Sequence, residues 1–212
     1  MLSDGYLANG SEPWSIPNFD DLPSIHPDFS SNENGLPFMP YARDKKTLAR
    51  PWATPGTPGL EHRIGGLEKE DVTGNVSYDP ENHHRMTELR AQKVANIVQD
   101  IPPTEILGAA SGDLLILSWG GTYGSCRSAM ERLQNDGKRV SLVHLRWVNP
   151  LPKDLGEILI RFKYVLIPEL NMGQLSKMIR ADYLIDAQGL NHVRGRPFRA
   201  ADIVTKAQKL IG

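Results

Sequence analysis

The chain has one cysteine, Cys126, in 212 residues. That excludes an internal disulfide framework and a protein-ligated iron–sulfur cluster, which usually needs four thiolates. Neither sign of charge is in excess: 24 Lys and Arg stand against 25 Asp and Glu, for a net charge of -1. With no Lys/Arg cluster standing out, composition gives no reason to expect nucleic acid as a partner. The longest apolar runs fall far short of the roughly 20 residues that cross a bilayer. Met1-Leu2-Ser3-Asp4-Gly5 lacks the charged and apolar regions of a secretory signal. With 40% apolar and 23% charged residues, the expectation is a soluble cytoplasmic protein in reducing surroundings.

What is present divides along the chain by its prolines. Nine of the 16 lie before residue 59, mixed with Asn, Asp, Ser and Gly. Proline lacks the amide donor and blocks helix interiors, so 13–58 is expected to be irregular and extended. Yet Trp14, Phe19, Ile25, Phe29, Phe38, Tyr41 and Trp52 are among many large apolar groups there, too many to leave in water. The reading is an arm that lies on a neighbouring domain or subunit. Residues 59–78 read as a short β excursion with a turn at 71–75. A helix then follows, with Asp79 as N-cap, Pro80 at its first position and Glu81 at the positive end of the dipole. Met86, Leu89, Val94, Ile97, Val98 and Ile101 share its apolar face, and Pro102-Pro103 stops it.

From about 104 an alternation of strands and helices takes over. Leu114–Trp119, Val140–Val148, Tyr164–Pro168 and a short run at 183–187 read as strands, with a shorter candidate at 105–108. Between and after them, helices place Cys126, Ala129, Met130 and Leu133 on one stripe, then Leu155, Ile158, Leu159 and Phe162, then Leu175, Met178 and Ile179, and finally Ile203, Ala207, Leu210 and Ile211. Short loops joining such elements imply a mainly parallel sheet with helices on both faces. The fold class is therefore α/β: a three-layer, Rossmann-like sandwich preceded by an irregular Pro-rich arm. The divisions are 1–78, 79–103 and 104–212.

Ligands and partners of such sheets gather beyond the carboxyl ends of the strands, and the candidate residues lie there. Gly120, Gly121, Thr122, Gly124 and Ser125 follow a strand and open a helix, where free amides favour an anion. The run matches neither nucleotide-binding glycine motif and has no lysine for phosphates, so a tight turn with close helix–strand packing explains it equally well. His144 and Arg146 leave one face of their strand. Glu169 closes the next strand, with Asn171 and Gln174 opening the helix behind it. If the two strands are neighbours, Arg146 and Glu169 pair across the top of the sheet, as a site, an interface clamp or a structural salt bridge. Glu61-His62 and His83-His84 offer too few ligands in one place for a metal. Cys126, on an apolar stripe, reads as a buried and inert thiol. These residues assemble no complete active site.

Six blocks carry a family resemblance: LSDGYLANGSEPW (2–14), GTPGLEHRIGGLE (56–68), NHHRMTELRAQKVANI (82–97), LILSWGGTYGS (115–125), HLRWVNPLPKDL (144–155) and PELNMGQLSKMIRADYL (168–184). In this order they resemble the C-terminal part of the alpha subunit of 2-oxoacid:ferredoxin oxidoreductases, most nearly the 2-oxoglutarate type (2-oxoglutarate synthase). The resemblance implies a transketolase C-terminal-like domain over 104–212, with 1–78 taking in the end of a preceding pyrimidine-binding domain. It implies an enzyme that oxidatively decarboxylates a 2-oxoacid to an acyl-CoA and passes electrons to ferredoxin. Thiamine diphosphate, Mg, an iron–sulfur cluster and coenzyme A are implied for the complete complex and none for this chain. The magnesium-ligating Gly-Asp-Gly … Asn motif of the family belongs to the beta subunit, and Asp4-Gly5 with Asn9 only echoes it at too short a spacing.

Two further readings stay open. One is a stand-alone α/β module whose Gly120–Ser125 turn holds a nucleotide or the phosphate of coenzyme A. The other is an interaction domain retained without enzymatic partners. On the favoured reading the chain is a structural and assembly piece, partnered by the beta subunit and the missing N-terminal domains of the alpha subunit, with ferredoxin reached through the complex. Nucleic acid and membrane are not expected partners, and a homo-oligomer stays open.

Overall fold

A computed structural model describes residues 15–31 and 35–212. They fall into two compact units, the first ending at Asp100 and the second running from Ile101 to Gly212. Trp14, Asp4, Gly5 and Asn9, named above, lie outside the described residues.

In the second unit, β1 (Ile106–Leu107), β2 (Gly112–Trp119), β3 (Val140–Leu145), β4 (Phe162–Glu169) and β5 (Gln188–Asn191) form one five-stranded sheet in the order β1-β3-β2-β4-β5. The last four are parallel, and β1 pairs antiparallel with β3 at one edge. Successive strand side chains point to opposite faces, and both faces of this sheet are apolar. Leu114, Ile116, Val140, Leu142 and Leu166 meet Cys126, Ala129, Leu133, Ile203 and Ala207 on one side. Leu115, Leu117, Val143, Leu145, Val165 and Ile167 meet Leu155, Ile158, Leu159, Leu175 and Ile179 on the other. The helices supplying these groups are α2 (Tyr123–Asn135) and α5 (Ala200–Ile211) on the first face, and α3 (Leu155–Leu159) and α4 (Gln174–Tyr183) on the second. The three-layer, mainly parallel α/β sandwich is as the periodicity predicts.

Three boundaries differ from the expectation. β3 ends at Leu145 rather than Val148, because Leu145 pairs with Trp119, the last residue of β2, and the chain beyond has no neighbouring strand to follow. Phe162 begins β4 instead of closing a helix, since α3 stops at Leu159. The last strand lies at 188–191, not 183–187. Leu175, Ile179 and Tyr183 continue at four-residue spacing on the same apolar face, so α4 runs through Tyr183 before Leu184 ends it at φ 54.

The first unit follows different rules. Its regular structure consists of a 3₁₀ turn at Phe19–Asp21, isolated bridges and one long helix, α1 (Pro80–Asn96), continued by a 3₁₀ turn at Ile97–Asp100. The side chain of Asp79 caps α1 by accepting from the Glu81 N–H at 3.1 Å, as its sequence predicts. The expected apolar face is largely uncovered: Met86 is buried, but Val94 and Ile97 are exposed. Polar bonds fasten the helix instead. Asn82 accepts from the Asp71 N–H and donates to the Lys69 carbonyl. Arg85 binds Asp71 at 2.7 Å, and Glu68 takes both His83 and Arg90. Within 15–58, Phe29 bridges to Trp52 with ring centroids 6.0 Å apart, and Arg50 sits over the Tyr41 ring at 4.3 Å.

The core is close-packed, so a cavity cut into it should be felt in full. Replacing fully buried Leu166 by Ala is expected to cost about 2–5 kcal/mol of unfolding free energy, measured by denaturant titration of the chain. A loss below about 1 kcal/mol would mean that Leu166 is not held as described.

Candidate functional site

The sheet order creates a crevice between β2 and β4. The chain leaves β2 through α2 on one face and β4 through α4 on the other, so the two loops diverge above adjacent strands. Open α/β sheets bind ligands in such a crevice. All ten candidate residues lie at or just beyond the carboxyl ends of β2, β3 and β4, three adjoining strands.

The sheet does not bring Arg146 and Glu169 together. β2 lies between β3 and β4, so the condition for a salt bridge across the sheet top is not met. Glu169 is instead fully buried, and its two oxygens accept from the backbone N–H groups of Leu175 and Ser176 at 2.7 and 2.9 Å. Asn171 Oδ1 accepts from the N–H groups of Gly173 and Gln174 at 2.7 and 2.9 Å. A helix start leaves its first amides unsatisfied, and here four in succession are taken by two side chains. The N-terminus of α4 is thereby closed to an outside anion. Glu169 and Asn171 are helix caps, while Gln174 is exposed beside them.

The start of α2 is the reverse case. A 3₁₀ turn at Gly120–Thr122 leads into it, with Thr122 Oγ1 accepting from the Trp119 N–H at 3.3 Å, and among the described residues the Thr122 side chain caps none of the first amides of α2. Gly120 has φ +54, which accounts for a glycine there. Among the described residues, close helix–strand packing does not account for Gly121 or Gly124, because a Cβ on either would meet nothing within 4 Å. Glycine is forced by crowding at Gly173, where φ is +84 and a Cβ would lie 2.6 Å from Asn191 Nδ2. The Gly120–Gly124 segment therefore borders open space. Thr122 is buried and its Oγ1 donates to the Trp119 carbonyl at 2.8 Å, while Ser125 Oγ donates to the Phe198 carbonyl at 2.7 Å. Both hydroxyls hold the turn in place.

Beside it, at the end of β3, lies a cleft of about 570 Å³ lined in part by Pro103, Glu105, Tyr123, His144, Arg146 and Trp147. His144 Nδ1 is 2.8 Å from Ser118 Oγ, and its ring meets the Tyr123 edge at a centroid distance of 5.0 Å. Ser118 and His144 stand opposite each other in the β2–β3 register. A Ser–His pair at this distance has the geometry of a nucleophile and its base. Ser118 is fully buried, however, so no substrate carbonyl can reach it and the bond serves packing. Burial, followed by the positive charge of Arg146, lowers the His144 pKa and favours the neutral imidazole. The sequence offered no sign of the Ser118 and Tyr123 contacts, which depend on which strand lies beside β3.

The described residues do not fit the metal-borne cofactors that the resemblance implies for the whole complex. Among them, no three His, Cys, Asp or Glu side chains cluster as metal ligands. Burial pushes the Cys126 thiol up to about 12, which leaves it unsuited to binding iron as a thiolate. Glu61-His62 and His83-His84 form no such group either; His83 pairs with Glu68 and His84 with Glu88. No helix among the described residues is long and apolar enough to cross a membrane.

Two measurements check this geometry. Gly124→Ala is expected to leave the chain folded and to raise its stability by up to about 1 kcal/mol, since it sits in open space within a helix; a marked loss would restore the close-packing account. For His144, a folded pKa below the ordinary 6.5 means that the unfolded chain binds more protons as pH falls. Its contribution is thus present above pH 6.5 and is lost on acidification through the folded pKa. Unfolding titrations should show stability declining on acidification over this range and His144→Gln flattening that decline.

Comparison with known proteins places this geometry in a family. Residues 112–203, from β2 to the first turn of α5, match the pyruvate:ferredoxin oxidoreductase core domain II. The 2-oxoglutarate oxidoreductase subunit KorA of Mycobacterium tuberculosis is 48% identical over 204 residues, which are 96% of this chain and 31% of that protein. The alpha subunit of 2-oxoacid:ferredoxin oxidoreductase 1 from Aeropyrum pernix is 31% identical over 150 residues, 68% of this chain and 23% of that one. Among solved structures, the 2-oxoglutarate:ferredoxin oxidoreductase of Magnetococcus marinus, with 2-oxoglutarate, coenzyme A and succinyl-CoA bound, matches with a TM-score of 0.82 at 30% identity. That match covers 92% of this chain and 34% of the other. The chain thus spans about a third or less of the length of these relatives. Its 112–203 region belongs to the pyruvate:ferredoxin oxidoreductase core domain II family, and the chain is homologous to the alpha subunits of 2-oxoacid:ferredoxin oxidoreductases.

Proposed function

We propose that the chain serves in the alpha subunit of a cytoplasmic 2-oxoglutarate:ferredoxin oxidoreductase, supporting and assembling the active site rather than performing the chemistry. The observation that carries this reading is the 48% identity to a 2-oxoglutarate oxidoreductase subunit across 96% of the chain. The complete enzyme would oxidatively decarboxylate 2-oxoglutarate to succinyl-CoA. Thiamine diphosphate with Mg, an iron–sulfur cluster and coenzyme A would be held by other parts of the complex. The beta subunit and the remaining alpha-subunit domains would be direct partners, with ferredoxin reached through the assembly.

Two features of the chain support an assembly role. The Ser–His contact at the sheet top is buried against the approach of a substrate. The first unit also exposes large apolar groups, including Phe19 at 84%, Ile25 at 86% and Trp52 at 62%. Covering each such side chain is worth roughly 1.5–3 kcal/mol, and aromatic residues of this kind anchor buried interface cores. In this proposal 1–78 is the covering arm with the end of a pyrimidine-binding domain, 79–103 links, and 104–212 is the supporting α/β domain. The cleft at Arg146 and Trp147 and the open turn at Gly120–Ser125 would face the interdomain contact.

One observation favours a rival reading, a stand-alone module holding a nucleotide or the phosphate of coenzyme A: the uncapped start of α2 with open space beside its glycines. The readings separate experimentally. The purified chain is expected neither to decarboxylate 2-oxoglutarate nor to bind thiamine diphosphate by calorimetry, and its melting temperature should not move with ATP or coenzyme A. The chain assembled with the remaining alpha-subunit domains and the beta subunit should do both. Thiamine diphosphate binding by the chain alone would overturn the proposal, and a melting shift with coenzyme A would favour the module.

A further inference from the structure

The loop His192–Arg199 and the outer face of α5 form a second surface, remote in sequence from the crevice residues. On α5, Ile203 and Ala207 point into the core and are fully buried. Asp202, Lys206 and Lys209 share a face that flanks theirs, at helical spacing. The loop before the helix is anchored by packing and a hydrogen bond. Its His192 ring stacks on Phe198 with centroids 4.6 Å apart, Phe198 is buried, and the Phe198 carbonyl accepts from Ser125 Oγ at 2.7 Å. Together loop and helix border a shallow depression of about 350 Å³ that collects Arg194, Arg199, Lys206 and Lys209, with Asp202 the carboxylate among them.

Asp202 is already committed, since Arg199 binds it through both Nη2 at 2.7 Å and Nε at 3.2 Å. Arg194, Lys206 and Lys209 stand in none of the ion pairs among the described residues. A chain of net charge -1 thus gathers surplus positive charge in one place where folding does not require it. Leu190, on β5, forms part of the same depression. β5 is the edge strand of the sheet, so among the described residues its outer side has no paired strand, and an exposed edge is where an extended segment can add. The cations are spread over a loop and two helix turns instead of converging on one point. That spread suits a row of carboxylates better than a single phosphate.

We propose that this surface docks an acidic, extended polypeptide segment of a partner, lying along β5 with its carboxylates toward Arg194, Lys206 and Lys209. The proposal stands apart from the family reading, and its docking cations are none of the crevice residues.

The test uses the full chain and fluorescently labelled poly-L-glutamate, followed by anisotropy over a salt series. Saturable binding that weakens with salt is expected, and the triple reversal R194E/K206E/K209E should reduce affinity by about tenfold or more. The equal charge change R161E/K163E/K177E, made at exposed positions on the same unit, should leave binding within about twofold. Circular dichroism checks that the variants fold, and K206E and K209E taken singly serve if the triple does not. Equal losses in both triples, or no binding at all, would overturn the proposal. So would inorganic polyphosphate binding the wild-type surface in preference to poly-L-glutamate.

Discussion

The burial of β2 on both faces is the constraint from which the α/β unit follows. Leu114, Leu115, Ile116 and Leu117 are four consecutive apolar residues, all fully buried. A strand that must hide both of its faces cannot lie at an edge or face water, so it takes the centre, with β3 on one side and β4 on the other. This central placement sets the carboxyl ends of the three strands beside one another and fixes Ser118 against His144. It also separates Arg146 from Glu169 by the width of a strand.

Two helix starts of similar origin then diverge. At α4 the protein uses Glu169 and Asn171 to take up four amides, so the helix dipole is neutralised from within and the loop is sealed. At α2 the corresponding amides have no side-chain cap, and glycines hold space open in front of them. One side of the crevice is therefore a finished structural joint, and the other is left uncapped among the described residues. Glu169 is tied into the fold by the two amides it takes, whereas Gly121 and Gly124 have no described atom within 4 Å of the place a Cβ would occupy.

The two units draw on different kinds of stability. The α/β unit rests on dispersion and apolar burial across a packed sheet. The first unit holds α1 to residues 68–77 by amide, carboxylate and guanidinium contacts, most of them exposed and each worth little in water, while Phe19, Trp52 and Tyr78 stay exposed. One unit is thus held by a packed apolar core, and the other carries large exposed apolar side chains such as Phe19, Ile25 and Trp52.

Which residues pair within an element was legible in the chain itself. The α2 stripe of Cys126, Ala129, Met130 and Leu133, the Asp79 cap and the Pro-rich irregular arm all depend on contacts a few residues apart, which spacing encodes directly. Family membership was legible as well, because ordered blocks of sequence survive where single motifs do not. The extent of β3, the Ser118–His144 contact and the clustering of Arg194 with Lys206 and Lys209 were decided by the tertiary structure alone. Each depends on which strand or helix lies alongside. That order comes from long-range packing of interchangeable apolar faces, and no local pattern records it.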